Sequence, residues 1–194
     1  MFIFDAIVLR KVQIKESKNI IYLFSRDFWK ITAWIKESKL KYPIDIWNIV
    51  NFGVTLKWNI NNVDNYKIKH AINYDWLSFE NISNILNLLV YIYTLSPAWV
   101  PNEILYDDYI NNMIFFEKDE TNKMITEFFK LKLIVTSWIW INISDIKKSV
   151  NFEKILNFIK TNKLEKILKV SGIDEALIKE IQTYNNNSYN LFLN

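Results

Sequence analysis

The stretch Lys30-Ile31-Thr32-Ala33-Trp34-Ile35-Lys36 is the cleanest alternation of apolar and polar residues in the chain. Successive side chains of a strand point to opposite faces, so Ile31, Ala33 and Ile35 share one face and Lys30, Thr32, Trp34 and Lys36 the other. The first face suits a core; the second sets an indole among cations. Working outward, Phe4, Ala6, Val8, Val12 and Ile14 follow the same period, broken only by Arg10, and predict a first strand with one apolar face. Ile20 to Ser25 predict a second strand. Phe52, Val54 and Leu56 mark a fourth, and Ile68, His70 and Ile72 a fifth with Lys67 and Lys69 on its opposite face. Five short strands, with a longer connection between the third and fourth, suit a small OB-type barrel.

Beyond Asp75 the period becomes helical. Ser78 is placed to cap a helix whose stripe runs Phe79, Ile82, Ile85, Leu86, Leu89, Ile92 and Tyr93, ending near Ser96-Pro97. Pro101 suits the first turn of a second helix carrying Ile104, Leu105, Tyr109, Ile110 and Met113; Thr121 is placed to cap a third with Ile125, Phe128, Phe129 and Leu133. Two more are expected near 152–161 and 164–183, and the tail NNNSYNLFLN is expected to fray. The fold class is therefore α+β: an N-terminal OB-fold β-barrel over residues 1–75, followed by an all-α helical domain over residues 76–194.

With 194 residues, 51% of them hydrophobic, the chain can bury a core without staples. No cysteine occurs, which excludes disulfides, thiolate catalysis and Cys-ligated zinc and fits a reducing cytoplasm. The apolar N-terminus is interrupted by Asp5 and reads as a strand, not a leader. Ile85 to Val100 falls short of the ~20 apolar residues that span a bilayer, so no membrane segment is expected. Net charge is +3, but residues 1–75 hold twelve Lys/Arg against seven Asp/Glu, a net of +5, and the remainder a net of −2. From Arg10 to Lys41, nine basic residues face three acidic ones, a density suited to a polyanion.

Catalytic chemistry is hard to assemble. His70 is the only histidine, and its alternation with Ile68 and Ile72 marks a packed residue, so no Ser/His/Asp triad can form. Two glycines, Gly53 and Gly172, cannot supply a phosphate loop. The pairs Asp107-Asp108, Asp119-Glu120 and Asp174-Glu175 lie in or near predicted helix termini, where carboxylates offset the helix dipole, and are read as solvated, not as metal ligands. LEKILKVSGIDEALIKEI sets a Ser-Gly turn between two short helices and is read as an αα-hairpin in preference to a DNA-gripping helix-hairpin-helix. The expectation is a non-enzymatic protein with no cofactor and no metal. The candidate nucleic-acid contacts are Arg10, Lys11, Lys15, Lys30, Lys36, Lys67 and Lys69 to phosphates, with Trp34 to bases.

The order of the first segment carries a resemblance. DAIVLRKVQIKESKNIIYLFSRDFWKITAWIKES is similar to the opening of the RecO family of bacterial recombination mediators: an IVL strand (Ile7-Val8-Leu9), a basic stretch closed by Glu16-Ser17, a strand Leu23-Phe24-Ser25-Arg26, then a turn into the third strand where Trp29-Lys30 stands for the family's Gly-Lys. PNEILYDDYINNM and FFKLKLIVTSWIW resemble its helical domain. The resemblance implies an OB-fold that binds single- and double-stranded DNA. It also implies a helical domain that docks the acidic tail of the single-stranded-DNA-binding protein and the partner RecR. Such proteins anneal strands and help load recombinase in the cytoplasm, at the nucleoid. Lys123, Lys130 and Lys132, on or beside the Phe128-Phe129 helix, are the partner-binding candidates. The zinc-binding cysteines of many members are absent. Two other readings stay open: an RNA-binding OB-fold protein, and a protein-protein adaptor whose barrel is only structural.

At a usual glycine content of about 7% a chain of this length carries about 14 glycines. This one has two, with eight tryptophans. AT-rich coding depletes glycine and tryptophan alike, so the imbalance needs another cause. Trp29, Trp58, Trp99 and Trp138 occupy turn or helix-end positions, the pattern expected if the source lineage reads UGA as glycine and the sequence was translated with UGA as tryptophan. A genuinely aromatic-rich protein is the alternative.

Overall fold

The computed structural model describes residues 1–16, 18–36, 43–55, 61–96, 102–136 and 149–193. Trp58, Trp99, Trp138, Leu56 and Pro101 lie outside them. Five strands, β1 (Phe2–Lys15), β2 (Lys18–Ser25), β3 (Trp29–Lys36), β4 (Ile49–Thr55) and β5 (Asn61–His70), close a barrel in the order β1-β2-β3-β5-β4. All neighbours are antiparallel except β3 and β5, which close the barrel in parallel through Ala33 and Trp34 opposite Asn61 and Asn62. This is the OB-type barrel expected from the alternating pattern. Inside it, Phe4, Ala6 and Val8 meet Ile21 and Leu23, Ile31, Ala33 and Ile35, and Val50, Phe52 and Val54. Ile72 lies just past β5 instead of within it.

The first strand departs from a single apolar face. Its ladder to β2 slips between Val8, opposite Leu23, and Arg10, opposite Tyr22. One extra residue in a ladder turns every later side chain to the other face. Arg10 is therefore not an interruption of the inward face; it begins the outward one. Val12 follows it, and Ile14 is exposed.

Helices α1 (Phe79–Leu95), α2 (Glu103–Phe116), α3 (Asp119–Thr136), α4 (Val150–Thr161) and α5 (Glu175–Leu193) follow. Ser78 caps α1, its Oγ accepting from the Asn81 N–H at 3.3 Å, but Phe79 is 87% exposed and lies off the apolar stripe. Asn102 caps α2, accepting from the Leu105 N–H at 3.0 Å. Thr121 lies inside α3, which begins at Asp119, and is not its cap.

The stretch 164–183 is not one continuous helix; it divides at the Ser-Gly turn, where the αα-hairpin reading placed the division. Leu164–Lys169 forms a 3-10 turn, Gly172 turns the chain at φ +84°, and Asp174 caps α5, accepting from the Leu177 N–H at 2.8 Å. Nor does the tail fray. It is helical to Leu193, with Tyr184, Asn185 and Ser188 buried and the Tyr189 ring stacked on Tyr91 at 4.3 Å. Polarity hid this packing, because Asn185 is held by hydrogen bonds, donating to the backbone oxygen and carboxylate of Glu127 at 3.0 and 2.9 Å.

The chain forms two compact units. One comprises Met1–Trp76 with Ile92–Tyr106, the other Leu77–Tyr91 with Asp107–Asn194. In the first, Tyr93 and Tyr106 set their rings 5.0 and 5.5 Å from Tyr22 and Phe24 on the outer side of β2. In the second, α3 is central and packs against α4, α5 and the 3-10 turn.

Candidate nucleic-acid interface

On β3 the burial alternates as the sequence demands: Ile31, Ala33 and Ile35 are buried, Lys30, Thr32 and Trp34 half-buried, and Lys36 exposed. The outward residues do not form one surface; their neighbours divide them in three.

At one end of the barrel, Lys15 stands opposite Lys18 in the β1–β2 ladder, and Lys18 opposite Lys36 in the β2–β3 ladder. Directly opposed residues have Cβ atoms about 4.5–5.5 Å apart, and like charges so placed repel. All three lysines are exposed, and no ion pair engages them among the described residues. Beside them a cavity of about 350 Å³ is lined by Lys18, Trp34, Ile35, Lys36, Asn62, Val63 and Asp64. Asp64 is held there by Thr55, whose hydroxyl donates to its carboxylate at 2.6 Å. A row of exposed cations next to a half-buried indole can hold successive phosphates while a base stacks. Lys18 escaped the sequence reading because it begins its strand, where polarity looks like a turn.

The second group is committed to structure. The carbonyl of Tyr93 lies in the last turn of α1, where its helical donor would be residue 97, a proline without an N–H. Lys30 supplies the missing donor, its Nζ 3.0 Å from that oxygen and 5.1 Å from the Tyr93 ring centroid. Burial holds the amine below the ordinary lysine range. Lys30 is thus a helix cap first and a phosphate ligand only at the expense of α1. Arg10 lies over the Tyr22 and Tyr93 rings at 5.9 and 5.7 Å, and Lys11 donates to the Ile44 carbonyl at 3.3 Å.

The third group, Lys67 and Lys69, is exposed on β5. Lys67 is five residues past Asn62, about 16 Å along the strand from the Trp34 contact. Lys69 is paired with Asp5 at 2.5 Å, and the Asn51 amide donates to the same carboxylate at 2.7 Å. Burial alone would raise the Asp5 carboxyl, but the hydrogen bonds from Lys69 and Asn51 outweigh it and hold it below the usual range. A carboxyl depressed by folding stabilises the protein above the ordinary Asp pKa, and that contribution disappears as the pH falls through the folded value. Wild type should therefore exceed Asp5→Asn in urea stability at neutral pH, with the difference shrinking below about pH 4. A difference independent of pH would show that the pair contributes nothing.

In the helical unit the partner-binding candidates separate as well. Lys123 is half-buried. Lys130 and Lys132 are 5% and 2% exposed, because α3 is surrounded by its neighbours. Lys130 pairs with Glu127 at 2.8 Å and lies 4.8 Å from the Tyr91 ring; Lys132 pairs with Asp108 and donates to the Asn162 carbonyl at 2.9 Å. Neither can meet an acidic peptide from solvent. Asp108, expected as a solvated carboxylate near a helix end, is a buried partner within α2.

No family model matches the chain, and no curated protein matches it. His70 lies half-buried at the end of β5, opposite Ile49. Among the described residues no group of three His, Cys, Asp or Glu side chains could hold a metal ion, and no helix is long and apolar enough to cross a membrane.

Proposed function

We propose that this protein is a non-enzymatic recombination mediator of the RecO type, which binds single- and double-stranded DNA, anneals strands and helps load recombinase together with RecR and the single-stranded-DNA-binding protein. One observation carries the DNA-binding part of the reading: three exposed lysines aligned across β1, β2 and β3 beside the Trp34 cavity, a placement that concentrates positive charge where a phosphate backbone can run. The ordered likeness of residues 5–38 to the RecO opening supports the choice of family. The interface is Lys15, Lys18, Trp34 and Lys36, narrower than the basic face taken as a whole.

Each phosphate contact releases a counterion, so affinity for a single-stranded oligonucleotide should fall linearly on a log-log salt plot. Replacing Lys15, Lys18 and Lys36 together by glutamine should flatten that slope by about 2, at roughly 0.7 per contact. Fluorescence anisotropy across a salt series measures it. An unchanged slope in the folded variant would reject the interface. It would favour the adaptor reading, for which the internal use of Arg10, Lys30 and Lys69 already speaks. Competition between single-stranded DNA and structured RNA separates the mediator from an RNA-binding protein.

A further inference from the structure

Asp45-Ile46-Trp47-Asn48 forms a hydrogen-bonded turn, closed by the Asn48 N–H to the Asp45 carbonyl at 3.3 Å. Trp47, its third residue, has φ +73°, and among the described residues it is the only non-glycine with a positive φ. A turn whose third residue alone has positive φ is of type II, and that position calls for glycine, or failing that asparagine. For an L-residue with a large side chain this conformation is an outlier. Tertiary structure fixes it: the Trp47 N–H donates to the Val8 carbonyl at 2.7 Å, and the Val8 N–H to the Asn48 carbonyl at 3.0 Å, so the turn is docked on β1 and cannot relax.

Of the two glycines the chain does contain, Gly172 occupies a position of the same kind, with φ +84°. Gly53 differs: it lies within β4, where a Cβ would meet only the exposed Asn65 side chain. Glycine thus stands at one described positive-φ position, and residue 47 is a second, filled by tryptophan. Trp29 and Trp34 differ in kind: neither has a positive φ, and both sit in the β2–β3 ladder, opposite Ser25 and Ile20, so backbone geometry withdraws residue 29 from the glycine positions expected from the sequence. Trp34 also faces Asn62 on its other side, where an aromatic residue fits and glycine would weaken the strand.

We infer that residue 47 is glycine in the protein its own cells make, encoded by a UGA codon read as glycine, while residue 34 is a true tryptophan encoded by UGG. The Trp47 indole is fully enclosed, so glycine at this position requires the surrounding side chains to close over the space it leaves. The assignment uses only backbone geometry and glycine content, and stands or falls separately from DNA binding. Mass spectrometry of the protein isolated from its native cells, with the gene sequence beside it, tests both halves. The peptide containing residue 47 should carry the mass of glycine against a UGA codon, and the peptide containing residue 34 the mass of tryptophan against UGG. Tryptophan at 47 overturns the inference. Glycine at 34 overturns the dihedral criterion that separates the two positions, and removes the indole from the cavity as well.

Discussion

Lys132→Ala should destabilise the protein by about 3–5 kcal/mol, the usual cost of leaving one member of a buried ion pair alone. The Lys132 ammonium and the Asp108 carboxylate are both almost fully enclosed, with side-chain exposures of 2% and 3%. The remaining Asp108 oxygen accepts from the Leu164 N–H at 3.4 Å, and the Asn162 carbonyl relies on Lys132. Removing the lysine strands the Asp108 carboxylate where water cannot reach it and leaves the half-buried Asn162 carbonyl without its lysine donor. Replacing both partners with apolar residues of similar size, Asp108→Leu with Lys132→Met, should restore much of the loss, because no charge is then left buried. Urea denaturation of both variants checks this. A single variant within about 1 kcal/mol of wild type, or a double variant worse than the single, would mean that the pair is hydrated and not buried as described.

Trp34→Ala should weaken binding of a single-stranded oligonucleotide by about 1–3 kcal/mol, equivalent to roughly 5- to 150-fold in affinity. The indole is on the outer face of β3, so its removal leaves Ile31, Ala33 and Ile35 in the core, and folding should survive. Stacking releases few counterions, so the salt slope should stay as in wild type. That separates Trp34 from the lysines, whose loss flattens the slope. Unchanged affinity would remove the base-stacking role and leave the lysine row as a purely electrostatic surface.

The barrel was legible in the sequence because alternation has one physical cause, one face buried and one solvated, and it operates within each strand. The strand Lys30 to Lys36 appears in the structure with its predicted faces. The slip after Val8 was not legible, since a bulge is settled by the partner strand and leaves no mark in the period of its own. Lys130 and Lys132 misled for a similar reason. A lysine on a helix is solvated in the great majority of cases, and only the enclosure of α3 by its neighbours, with Glu127 and Asp108 supplied from within, makes these two interior.

By itself, then, the sequence determined what depends on near neighbours along the chain: the faces of β3, the cap at Ser78, the change from strand to helical period, and the basic character of the first 75 residues. Tertiary structure alone decided which cations are available. Lys15, Lys18 and Lys36 come from three strands and meet through ladder register, while Lys30 is withdrawn to the end of a helix some sixty residues away in sequence. A charge is a property of one residue; its freedom depends on what the fold places within about 3 Å of it, a distance that sequence order does not encode.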